Sequence, residues 1–75
     1  MSVADRELRV QVKAALLAND ISQAEAARRL ELSTKHMSQM LTGRAPLTLT
    51  WAERILALCG MRLVIGLQHD TQPRR

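Results

Sequence analysis

The stretch ISQAEAARRLELSTKHMSQMLTGRAPL, Ile21 to Leu47, sets the tightest limit on what this chain can fold into. It holds two short apolar-periodic runs, each opened by its own serine, with very few residues between them. Ser22-Gln23-Ala24-Glu25 has the spacing of a capping box, in which the Ser22 hydroxyl accepts from the Glu25 N–H and the Glu25 side chain reaches back. Ser33 is placed to cap the second run, whose apolar residues Met37, Met40 and Leu41 recur at i, i+3 and i+4. Helices this short are marginal alone in water, so packing must hold them at a fixed angle.

The partners for that packing lie on either side. Residues 4–18 read as a first helix with Leu8, Val12, Ala15 and Leu16 on one face, and with Asp5 and Glu7 near its positive end. Asn19-Asp20 is its stop. In the second helix Ala24, Ala27 and Leu30 form the expected inward stripe, small enough for close approach. Thr42-Gly43 closes the third helix, with Gly43 left-handed, and Arg44-Ala45-Pro46 is a loop. Thr48 caps a fourth helix running to about Cys59, ended by Gly60. Its main stripe is Leu49, Ala52, Ile55, Leu56 and Cys59, with Trp51 and Leu58 on the flank.

After Gly60 the period changes from helical to two. Met61, Leu63, Ile65 and Leu67 alternate with Arg62, Val64, Gly66 and Gln68, which predicts a strand with one apolar face. The expected fold is therefore all-α: four helices in residues 1–60, a short C-terminal β-strand at 61–68, and a flexible polar tail at 69–75.

Composition excludes most function classes. Seventy-five residues make one small domain, and the single cysteine, Cys59, permits no internal disulfide and no Cys/His metal set. A lone thiol fits a reducing cytoplasm, with Cys59 read as a small apolar side chain. No run has membrane-spanning length, and MSVADRELRV lacks the apolar core of a signal peptide. No nucleophile is paired with a base and no phosphate loop is present, so no enzyme and no cofactor is expected. The net charge of +4 favours a polyanionic partner, and the lack of Phe and Tyr disfavours single-strand binders, which need stacking platforms.

Two helices joined by three or four residues, the second with a polar outward face, describe a helix-turn-helix. Ile21-Ser22-Gln23, Ala27, Leu32-Ser33, Met37, Met40-Leu41 and Gly43 resemble the XRE family of helix-turn-helix proteins, typified by the lambdoid phage repressors. That resemblance implies a transcriptional regulator whose third helix enters the major groove of double-stranded DNA. Ser33, Thr34, Lys35 and Gln39 would then read base edges, Lys35 donating to guanine and Gln39 pairing with adenine. Gln23, His36, Ser38, Thr42 and Arg44 would contact phosphates. Thr34 stands where the best-known members carry glutamine, so a brace from Gln23 to that residue is not carried over. Glu31 stands where the family often has glycine. Either Glu31 is left-handed, at about 1 kcal/mol, or the turn differs.

A single such helix reads few base pairs, and a twofold dimer on a palindromic operator doubles the contacts. Trp51, Leu58, Met61, Leu63, Val64, Ile65 and Leu67 are the expected dimer surface, with residues 61–68 paired to their copy as an antiparallel ribbon. The leading expectation is a small homodimeric repressor or autorepressor. The alternative is an antitoxin-type module that neutralises a partner protein.

Overall fold

The computed structural model describes residues 2–67, which contain four helices in the order α1 (Val3–Ala18), α2 (Gln23–Arg29), α3 (Thr34–Thr42) and α4 (Leu49–Leu58). Every helix starts at a hydroxyl. The Oγ atoms of Ser2, Ser22 and Ser33 and Oγ1 of Thr48 accept from the N–H three residues on, at 3.0–3.1 Å. The helices also end alike. Asp20, Glu31, Gly43 and Gly60 take positive φ angles of 56°, 60°, 94° and 69°. In each case the next N–H returns to a carbonyl five residues back: Ile21 to Leu16, Leu32 to Ala27, Arg44 to Gln39 and Met61 to Leu56. Glu31 therefore adopts the left-handed conformation that glycine would take at no steric cost.

The core sits where the four helices converge. Val12, Ala15 and Leu16 of α1 meet Ala26 and Ala27 of α2, Met37, Met40 and Leu41 of α3, and Ala52, Ile55 and Leu56 of α4. Leu47, just before the Thr48 cap, is also buried and anchors the incoming loop. Two expected stripes are corrected. In α2 the buried pair is Ala26 and Ala27, while Ala24 is exposed and Leu30 half-buried. In α4 Leu49 is exposed and Cys59 half-buried at the cap. Burial pushes the Cys59 thiol above its ordinary pKa, in line with a packing role.

The expected C-terminal strand is not formed: residues 61–67 carry no regular secondary structure. The physical reason is the lack of a partner, since a strand takes its hydrogen bonds from a neighbour. Leu63 packs against the core, whereas Met61, Val64, Ile65 and Leu67 are exposed. Gln68 and the tail at 69–75 lie outside the described residues.

Candidate nucleic-acid interface

Glu31, held left-handed, turns the chain sharply between α2 and α3. Met37 and Met40 bury completely and Leu41 almost so, which fixes the rotation of α3 about its own axis. Thr34 and Lys35 are exposed, while Ser38 and Gln39 are half-exposed. Lys35, Ser38, Gln39, Thr42 and Arg44 together line one shallow concavity on the outside of α3.

Not every expected contact belongs to that concavity. Gln23 lines a separate, mostly apolar hollow with Lys13, Leu16, Leu17, Ile21 and Leu41. The Ser33 hydroxyl accepts the His36 N–H at 3.0 Å, which leaves its own hydrogen and one lone pair for a further partner. The Thr42 hydroxyl donates to the Ser38 carbonyl at 2.9 Å, so its hydrogen is engaged within the helix. His36 is half-buried, with its ring edge-on to Trp51 of α4 at 6.4 Å between centroids. Trp51 in turn carries the Arg54 guanidinium 4.7 Å from its ring centroid.

Arg9 was not singled out by sequence reading, and it is the one charged residue buried among those described. Its Nε donates to the Met40 carbonyl at 2.7 Å, and a terminal guanidinium nitrogen donates to the Ala45 carbonyl at 3.0 Å. The first satisfies a carbonyl in the last turn of α3, at the negative end of its dipole. The second ties down the loop that carries Arg44. The signal was present: Arg9, Val12 and Leu16 share the inward face of α1, and a cation on an apolar stripe must find acceptors.

Charge is distributed unequally around this surface. On α2 the Glu25 carboxylate receives Arg28 and also Arg29, the latter at 2.6 Å. The hydrogen bonds from Arg28 and then Arg29 hold the Glu25 carboxyl below its ordinary pKa. The expected reach of Glu25 back to the Ser22 N–H is replaced by these pairs. Among the described residues no carboxylate pairs with Lys35, Arg44 or Arg54. No group of described His, Cys, Asp or Glu residues could hold a metal, and no described helix is long and apolar enough to cross a membrane.

Two short helices locked at a sharp turn, with the outer side of the second left polar and without a carboxylate partner among the described residues, define a helix-turn-helix domain of the DNA-binding class. The chain belongs to the helix-turn-helix domain family, whose family model matches residues 6–63, from the first turn of α1 to just beyond α4. Nothing among curated proteins or solved structures matches it.

Proposed function

We propose that the chain is a sequence-specific transcriptional repressor of the XRE type, acting as a homodimer on a palindromic operator. The observation that supports this most is the outward side of α3: Lys35, Ser38, Gln39, Thr42 and Arg44 share one concavity and are not needed for packing. In this reading Thr34, Lys35 and Gln39 meet base edges, joined by the Ser33 hydroxyl through its remaining hydrogen. Ser38, Arg44 and His36 meet phosphates, with Gln23 on the adjoining strand. Thr42 joins them only by turning its hydroxyl away from Ser38. In this reading repression is steric occupation of a promoter.

The exposed Met61, Val64, Ile65 and Leu67 support pairing with a second copy. The same apolar surface also supports the second reading, an antitoxin-type module that masks a partner protein. Selection of bound duplexes from a random pool tests the first reading. A palindromic consensus is expected, and a pool that stays random after repeated rounds would discard it. Sedimentation velocity of the Val64→Asp/Ile65→Asp variant tests the dimer, which should dissociate to monomer. A variant that sediments as wild type removes this surface from the interface.

A further inference from the structure

Trp51 is the only aromatic carbocycle in the chain, and it stands at the seam between α3 and α4. One contact is the His36 ring, edge-on at an interplanar angle of 74°, from the first turn of α3. The other is Arg54, one turn further along α4, with its guanidinium carbon 4.7 Å from the ring centroid. Arg54 is exposed, and no described carboxylate pairs with it. This contrasts with Arg28 and Arg29, both closed onto Glu25.

A guanidinium lying over an aromatic face keeps its N–H edge directed outward in a fixed plane. That edge matches the oxygens of a phosphate, which accept two parallel hydrogen bonds. Stacking also restricts a side chain that would otherwise lose several rotamers on binding an anion. The ring that holds Arg54 touches His36, on the helix proposed to enter the groove. The arginine is thus indexed to α3 rather than swinging freely from α4.

We infer that Arg54, held on Trp51, is a phosphate-binding arm that extends the duplex contact from α3 onto α4, with Trp51 as its positioning residue. The inference rests on the reading of α3 as the DNA-reading helix. It adds a backbone contact outside α3 and its loop, and it gives Trp51 a task on the DNA side of the molecule. The ligand is duplex DNA phosphate, since Arg54 is linked through the ring to the proposed reading helix. An acidic protein is the competing occupant.

The test is the salt dependence of binding to a duplex selected from a random pool, with the full chain. Each phosphate contact contributes about 0.9 to the slope of log affinity against log salt. Arg54→Gln should lower the slope by about that amount and leave the selected consensus unchanged. Arg54→Lys should keep the slope and weaken binding several-fold, because the charge remains but the planar fork is lost. Trp51→Phe should retain the arm, while Trp51→Leu should weaken binding with Arg54 still present. Arg54 is exposed, so a matching thermal melt shows that Arg54→Gln has left the fold intact. An Arg54→Gln slope equal to that of wild type overturns the inference. So does an unchanged duplex slope accompanied by lost binding of poly-glutamate, which would assign the arm to an acidic protein. If the wild-type chain binds no duplex at all, the reading of α3 falls first and takes the arm with it.

Discussion

α2 and α3 begin in the same way and end as opposites. Each opens on a serine whose Oγ accepts the N–H three residues later, at 3.0 Å in both. Each is short, and each is held by a buried face. The charges of α2 then close on one another, Arg28 and Arg29 onto Glu25. The polar side chains of α3 find no such partner and line an open concavity with Arg44. A capped, amphipathic helix does not by itself define a binding surface. The difference lies in which polar groups the fold leaves unengaged, and a single carboxylate at position 25 is enough to change the answer.

That contrast can be broken or sharpened by experiment. The largest effect is expected at Arg9, which holds the C-terminal turn of α3 and the loop beyond it. Arg9→Met removes charged donors from the Met40 and Ala45 carbonyls and should cost about 3 kcal/mol in urea unfolding. Unchanged stability would mean that the loop bearing Arg44 is held by other contacts. Next come Lys35→Ala and Gln39→Ala, each expected to weaken the selected operator by about 1–3 kcal/mol with an unaltered thermal melt. Arg28→Ala and Arg29→Ala should leave operator affinity close to wild type, and the contrast between the helices fails if they do not.

Smaller effects concern what the two helices share. Ser22→Ala and Ser33→Ala should each lower stability by about 1 kcal/mol in denaturant titration, since each removes an N-cap acceptor. Clearly unequal losses would show that the two starts are not equivalent. The smallest effect is the acid dependence of Glu25. Its folded pKa lies below the ordinary 4.5, so its stabilising contribution is present above that value and is lost as pH falls through the lowered one. The pairs are exposed and solvent screens them, so the melting temperature of Glu25→Gln should differ from wild type only slightly near neutrality. The variant should also lack the decline on acidification that Glu25 gives wild type below about pH 4.5.

The sequence was most legible where one residue type does one job. Ser22, Ser33 and Thr48 announce helix starts, Gly43 and Gly60 announce ends, and Met37, Met40 and Leu41 carry enough bulk to mark a face. All of these stand in the structure as read. Phase was lost where side chains are too small to carry it: Ala24, Ala26 and Ala27 are alike in sequence, and only packing against α3 selects the last two. Arg9 was passed over because charge usually signals solvent, whereas here backbone carbonyls replace the water. The alternation in Met61–Leu67 predicts a strand with one buried face, and neither forms: the segment has no regular structure and only Leu63 packs against the core, because a strand is a property of two segments and one copy of the chain supplies only one. For the α3 surface, residue types gave the candidates. The structure adds which of them are neighbours, setting Gln23 apart on another hollow and placing His36 against Trp51.

The guanidinium of Arg9 spans 31 residues of sequence to Met40 and 36 to Ala45. The α2–α3 corner is local in sequence, whereas the loop bearing Arg44 is fastened from α1, far away along the chain. An excised peptide comprising the two central helices alone would lose this grip together with the packing from α1 and α4 that holds their angle. A helix remote in sequence thus completes the polar outer surface of α3 and its loop.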